Sequence, residues 1–258
     1  MEMRYLSVVV GLCATFLVTL LVIPLAVRVS EKNQWYQKIR VDGPTSHLEK
    51  DKTPTSTGWV FLIPLAVLFA LFSPLRPSRN QIDSMLLLML GISAIVAAYL
   101  GLADDMLKLK AGTSGLKARW RFIAQILIGL LIGALLLSFG MGEVYMPFTG
   151  GFKNLGLWIL PLSLLTYSGT INGVNFIDGQ DGLAAGCLAV TFATLAIILD
   201  TGWDDRSWGL AAGCWFMAAA CLAFLWYNAY PAQVFMGEVG STTLGAVLAT
   251  IAILTGTE

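Results

Sequence analysis

Charge is scarce in this sequence. Of 258 residues only 12% are Asp, Glu, Lys or Arg, 57% are hydrophobic, and the mean hydropathy is +0.74. Soluble domains carry about 25% charged residues, so the composition is that of an integral membrane protein. Formal net charge is zero, which leaves no overall acidic or basic bias to indicate a partner. Histidine occurs once, at His47, and a lone histidine excludes a histidine-rich metal site. The four cysteines, Cys13, Cys187, Cys214 and Cys221, lie in apolar runs and form no CxxC pair. They read as small buried hydrophobes rather than disulfides or zinc ligands. Strand-like alternation is missing, which excludes a membrane β-barrel. There is no internal repeat, no low-complexity segment and no soluble domain of useful size. The first apolar run is too long for a signal-peptide core, and no clear small-residue cleavage site follows it.

What the chain has in quantity is long apolar runs. A bilayer core of about 30 Å takes about 20 apolar residues per helix. About eight runs qualify, roughly 5–27, 57–75, 84–103, 122–139, 155–171, 183–199, 207–227 and 242–256. The expected fold class is all-α, a polytopic transmembrane helix bundle, with residues 1–258 forming one membrane-embedded domain. The last run is short and stops at Thr257 and Glu258, which suggests a piece of a longer chain.

The cations set the orientation. Arg28, Lys32, Lys38, Arg40, Lys50 and Lys52 fall in the first connection, and Lys108, Lys110, Lys117, Arg119 and Arg121 in the third. With eight spans these two connections share a side, which the positive-inside tendency makes cytoplasmic. The N-terminus is then outside. Connections 172–182 and 228–241 lie on the same cytoplasmic side and contain no Lys or Arg, yet they carry Asp178, Asp181 and Glu238. Those acids need balancing charge, either from the first two cytoplasmic connections or from solution.

Three strings concentrate the polar chemistry. Asp104 and Asp105 follow "AIVAAYLGLA". Paired acids at a helix end near headgroups are costly unless paired or liganded. Adjacent helical residues point about 100° apart, so the two can serve different roles. Lys108, one turn on, suits a phosphate; a solvated helix end is the plainer alternative. "NGVNFIDGQDGLAAG" holds Asn172, Asn175, Asp178 and Asp181, and its glycines allow close backbone approach. It is not an EF-hand, because position twelve from Asp178 is Ala189; a simple turn between helices is the plainer reading. "FMGEVGSTTLG" places Glu238 before Ser241, Thr242 and Thr243, as an anion-binding helix start or merely an N-cap. It lacks the P-loop lysine. Hard oxygen ligands without Cys or His clusters suit Mg²⁺ or Mn²⁺. With lysines for phosphate and lipid-facing helices, the residues point to metal-assisted phosphoryl transfer involving a lipid.

Four strings together, "GPTSHLEKDKTPT", "LGLADDMLKLKAGTSGLKARWRFIAQ", "NGVNFIDGQDGLAAG" and "WYNAYPAQVFMGEVGSTTLG", resemble the polyprenyl-phosphate N-acetylhexosamine-1-phosphate transferases. The resemblance runs from about Arg40 to the end of the chain, and the "GP-SHL-K" pattern favours the muramoyl-pentapeptide branch over the GlcNAc-1-phosphate branch. It implies an Mg²⁺-dependent transferase of the bacterial inner membrane. Undecaprenyl phosphate would attack UDP-MurNAc-pentapeptide on the cytoplasmic face, giving lipid I and UMP. By the same resemblance Asp104 matches the acid that activates the lipid phosphate, with Asp105 beside it. Asp178 and Asn175 match site residues of the third cytoplasmic loop. Asp181 and Phe235 match the uridine side, and Lys50 and Thr55 line the site. Glu238 stands where the family has a magnesium-binding aspartate, and Lys108 and Asn172 complete the expected binding set. A homodimer is a further implication.

The chain departs from that family pattern in three places. "GEVGS" replaces "GDVGS", setting the Glu238 carboxylate one methylene further out. "KTPTSTG" replaces "GTPTMGG", so Lys52 and Thr57 stand for glycines. The family's last two helices and the histidine-rich loop between them are not present, so the expectation is eight helices of ten. The alternatives are a GlcNAc-1-phosphate transferase, a non-enzymatic transporter or flippase, and a homologue that binds nucleotide without turnover.

Overall fold

The computed structural model describes residues 2–36, 53–72, 81–111, 115–146, 148, 150–203 and 208–257. Every apolar run expected to be a helix is one. They are α1 Glu2–Lys32, α2 Ile63–Phe72 (entered through a 3-10 turn, Gly58–Leu62), α3 Gln81–Ala111, α4 Ala118–Ser138, α5 Ile159–Ile177, α6 Leu183–Ile198, α7 Trp208–Asn228 and α8 Gly237–Thr255. Among the described residues six of these, α1, α3, α4, α6, α7 and α8, are long and apolar enough to cross a membrane. The apolar helical stretch Gly58–Phe72 is shorter. α5 has the length, at 19 residues, but Ser163, Thr166, Ser168, Thr170, Asn172 and Asn175 dilute its apolar content.

One element has no counterpart among the sequence expectations. Between α4 and α5 the chain forms an antiparallel hairpin, β1 Glu143–Met146 paired with β2 Gly151–Asn154. Tyr145 donates its N–H to the carbonyl of Gly256 just beyond α8, so the hairpin closes the end of the bundle away from the acids.

Burial separates the inside of the bundle from its lipid-facing rim. The spanning windows of α7 and α8 are each 78% buried, against 22% for α1 and 28% for α4. α8 is the axis of the site half, packed along α3 and α5, while α7 packs on α6, α1 and α2. Lipid tails are as apolar as leucine, so close backbone packing has to hold such helices together, and small residues permit it. A Cβ on Gly101 of α3 would fall on the Glu238 carbonyl and stand 2.7 Å from Val239 Cα. A Cβ on Gly245 of α8 would stand 2.7 Å from Ile171 Cα on α5. Glycines at these two contacts therefore bring both α3 and α5 close against α8. With α3 and α5 running towards the acids and α8 away from them, Asp104, Asp105, Asp178 and Glu238 share one end of the bundle.

Candidate active site

The two adjacent aspartates do different work. Asp104 is fully buried. Its Oδ1 accepts the Leu116 N–H at 2.6 Å, which draws the chain ahead of α4 back against α3. Its Oδ2 lies 2.6 Å from Lys108 Nζ, one turn on, and 3.5 Å from Arg121 Nη1 on α4. Asp105 faces α8: its two oxygens accept the Glu238 and Val239 N–H groups at 3.0 and 3.2 Å. Those are free donors at a helix start, where a carboxylate is favoured by both hydrogen bonding and the helix dipole. Ser241, Thr242 and Thr243 lie inside α8 rather than at its cap, which corrects the reading of that string as an N-cap. The capping carboxylate comes from α3.

Glu238 meets the same two cations. Its Oε1 is 2.7 Å from Lys108 Nζ and 3.1 Å from Arg121 Nη1. The one acid of the cation-free connection 228–241 thus finds its balance in cations from the helix ends around the third connection. Its other oxygen, Oε2, is buried with no hydrogen-bond partner, as is Asn175 Oδ1 on α5. A buried, unpartnered oxygen costs free energy, and both residues line one cleft.

That cleft, open on one side, spans about 380 Å³ of empty space. It is built from one stripe of each of four helices: Ala97, Leu100, Gly101 and Asp104 of α3; Arg121, Gln125 and Ile128 of α4; Tyr167, Ile171 and Asn175 of α5; Glu238 and Thr242 of α8. The spacings of three, four and seven residues are those of a single helix face. Charge and amide groups gather at one end, at Asp104, Arg121, Gln125, Asn175 and Glu238. Ala97, Leu100, Ile128 and Ile171 make the rest apolar.

Arg121 and Gln125 were not among the residues expected at the site. Arg121 reads in the sequence as one more cytoplasmic anchor, but its spacing to Gln125 and Ile128 is a signal that could have found both. Asn172 points its amide at Gln125 Oε1, 2.8 Å away, and at the Ser168 carbonyl at 2.7 Å. It orients Gln125 and is not itself among the cleft residues. Asp181 accepts the Ala232 N–H at 3.1 Å, tying connection 172–182 to connection 228–241. Phe235 donates its N–H to the Pro54 carbonyl at 2.9 Å, and its own carbonyl accepts the Thr57 hydroxyl at 2.9 Å. Thr55 is buried in that first-connection segment, where its carbonyl accepts the Ser30 hydroxyl. These three stand along the adjoining loops, outside the cleft residues. Lys50, like His47, lies outside the described residues.

Among the described residues no group of three or more His, Cys, Asp or Glu side chains is arranged to hold a metal ion. Asp104 is engaged by one amide and two cations, which leaves a small donor set. Mg²⁺ needs no cage: it keeps several waters and takes one or two carboxylates plus substrate phosphates. The unpartnered oxygens of Glu238 and Asn175, with Asp178 one turn past Asn175, fit that habit.

Asp178 ends α5. Burial, with the negative charges of Glu238 and Asp105 nearby, holds its carboxyl well above the usual carboxylate range. A raised folded pKa means that Asp178 supports the fold fully below its ordinary pKa of about 4, and that this support is lost as pH rises through the raised value. With chelator at neutral pH, Asp178→Asn is therefore expected to raise the melting temperature. The gain should vanish near pH 4. A lower melting temperature at neutral pH would show that the carboxylate is satisfied in the metal-free protein.

A family model described as Glycosyl transferase family 4 matches residues 86–256. That span takes in Asp104, Asp105, the whole cleft and Glu238. Among curated proteins, the phospho-N-acetylmuramoyl-pentapeptide-transferase of Desulforudis audaxviator is 36% identical, over 98% of this chain and 78% of its own length. The protein of the same name from Chloroflexus aggregans is 38% identical, over 93% of this chain and 65% of its own. That from Prochlorococcus marinus is 31% identical, over 93% and 66%. This chain therefore spans about two thirds to three quarters of the length of these relatives. The family-model match, with identity at that level along nearly all of this chain, places the chain in glycosyl transferase family 4.

Proposed function

We propose that this chain transfers phospho-MurNAc-pentapeptide from UDP-MurNAc-pentapeptide to undecaprenyl phosphate, forming lipid I and releasing UMP. The names of its relatives support the substrates. The observation that carries the reading is the cleft itself, where two cations and two unpartnered oxygens stand at the mouth of an apolar trough between membrane helices. The polar end suits an anionic headgroup, and the apolar lining suits the adjoining part of a lipid chain.

In this reaction an oxygen of the lipid phosphate attacks the β-phosphorus of the nucleotide. The bond from that phosphorus to the bridging oxygen breaks, and the electron pair leaves with UMP. The main obstacle is bringing two anions together, so positioning and charge compensation carry most of the catalysis. Lys108 and Arg121 are the local compensation: they can exchange the carboxylates of Asp104 and Glu238 for phosphate oxygens. Asp104 holds both cations at the cleft and takes the last proton of the lipid phosphate. Asp105 fixes the start of α8 and so the backbone of Glu238. Mg²⁺, with Mn²⁺ as substitute, would neutralise diphosphate charge when bound, with Glu238, Asn175 and Asp178 holding it. The excess of Lys and Arg at this end of the bundle favours a cytoplasmic site with the N-terminus outside.

The test is UMP release by the purified chain in lipid nanodiscs containing undecaprenyl phosphate, with UDP-MurNAc-pentapeptide and UDP-GlcNAc offered separately. Mg²⁺-dependent release from the muramoyl donor alone is the expected result. Release only from UDP-GlcNAc, or from neither, would overturn the reading.

A further inference from the structure

Deep in the bundle, three hydroxyls meet. Ser93 of α3, Tyr167 of α5 and Thr250 of α8 are 3%, 0% and 0% exposed. Ser93 Oγ lies 3.0 Å from Tyr167 Oη and 2.8 Å from Thr250 Oγ1. Several other hydroxyls on the membrane helices bond a carbonyl of their own helix one turn back: Thr191 to Cys187, Thr194 to Val190, Ser168 to Leu164 and Thr243 to Val239. Such bonds say nothing about neighbouring helices. The Ser93, Tyr167 and Thr250 bonds cross between three.

Their placement along the helices is regular. Ser93 lies eleven residues before Asp104, Tyr167 eleven before Asp178, and Thr250 twelve after Glu238. At 1.5 Å per residue each is about 17 Å from the acid on its own helix. We infer that the hydroxyl triad is a register pin, and that Ser93, Tyr167 and Thr250 are positioning residues for the acids of the transfer site. The inference rests on the proposed phosphoglycosyl transfer for its catalytic consequence, though not for its mechanical one.

The reasoning is geometric. Oxygen–oxygen hydrogen bonds persist over only a few tenths of an ångström around their usual 2.5–3.0 Å. In an apolar interior an unmade one is costly. Axial slip of α3 or α5 along α8 by about two ångströms would stretch these transverse bonds to about 3.5 Å and break the triad. α3 and α8 are fixed a second time at the site end, where Asp105 holds the Glu238 and Val239 amides. Two ties about 17 Å apart resist both slip and tilt. α5 has the Tyr167 hydroxyl and the close approach of Ile171 to Gly245, so Asn175 and Asp178 take their height from that part of the bundle.

The test compares two substitutions at one position. Thr250→Val keeps the shape and loses the hydroxyl; Thr250→Ser keeps the hydroxyl. Misplacement of reacting groups by about an ångström can cost up to 100-fold in rate. Thr250→Val should accordingly lower kcat by about tenfold, leave the KM for UDP-MurNAc-pentapeptide within a factor of two, and raise the Mg²⁺ concentration for half-maximal rate. Thr250→Ser should restore all three, and Tyr167→Phe should reproduce the shift in Mg²⁺ requirement. Hydrogen exchange at the Glu238 and Val239 amides, free of any assay of turnover, should quicken in Thr250→Val and not in Thr250→Ser. Unchanged exchange in Thr250→Val would overturn the pin, as would equal damage from both substitutions, which would make packing volume the cause. If the unsubstituted chain releases no UMP, the functional reading fails separately and the exchange measurement alone decides the pin.

Discussion

Asp104→Asn is expected to abolish UMP release, lowering kcat by about 1,000-fold or more, while the helix content stays that of the unsubstituted chain. The magnitude follows from what surrounds the carboxylate. Oδ1 is held by the Leu116 N–H at 2.6 Å, so the amide of the variant would keep its oxygen there. Its NH₂ would then turn to the position of Oδ2, facing Lys108 Nζ and Arg121 Nη1. Three sets of donors would converge with no acceptor among them. Both cations would be left to Glu238, the carboxylate that the metal reading needs open. On the proposed reading one substitution thus removes the proton acceptor and leaves both cations to Glu238 alone. Because the side chain is buried and near isosteric with asparagine, circular dichroism should show little change. A kcat within tenfold of the unsubstituted chain would refute the role given to Asp104. Asp104→Glu should not rescue, since a longer side chain cannot keep the Leu116 bond and the cation contacts together.

The eight helices were legible because spans are written in the simplest of codes, continuous apolar runs of bilayer length. The acids were legible for the converse reason, since Asp104, Asp178 and Glu238 make no sense beside such runs unless something meets them. What pairs with what was not. The cap of α8 comes from Asp105, 133 residues earlier, and no local pattern around Ser241 to Thr243 announces a carboxylate from another helix. Arg121 hid among the other cations around the connection from α3 to α4, where the positive-inside expectation already accounted for it. The hairpin escaped because its strands, EVYM and GFKN, have four residues each, too few for alternation to register. The hydroxyl triad was invisible for the same reason as the cap: Ser93, Tyr167 and Thr250 are unremarkable in their own helices and acquire meaning only where three helices touch.

Glu238 offers a sharper test than removal of a side chain, because two substitutions separate its charge from its reach. Glu238→Gln keeps the length and loses the charge. Lys108 and Arg121 would share the single carboxylate of Asp104, and the buried, unpartnered Oε2 would give way to an amide, a poor Mg²⁺ ligand beside a carboxylate. The expected loss in kcat is about 100-fold or more, with a large rise in the Mg²⁺ needed. Glu238→Asp keeps the charge and shortens the reach by roughly 1.5 Å, one carbon–carbon bond. From 2.7 and 3.1 Å, the contacts to Lys108 and Arg121 would stretch past hydrogen-bonding range. Lys108 would stay on Asp104, and Arg121 would be freer to meet a phosphate. Activity is therefore expected to be kept or raised, with the Mg²⁺ requirement no higher. The kinetic pair to measure is kcat and half-saturating Mg²⁺ for both variants in one preparation. If Glu238→Gln keeps a tenth or more of the rate, Glu238 is no metal ligand and serves only to hold the cations. If Glu238→Asp loses more than tenfold, the longer side chain is part of the site's design, and the bridge from α8 to Lys108 and Arg121 is required for turnover.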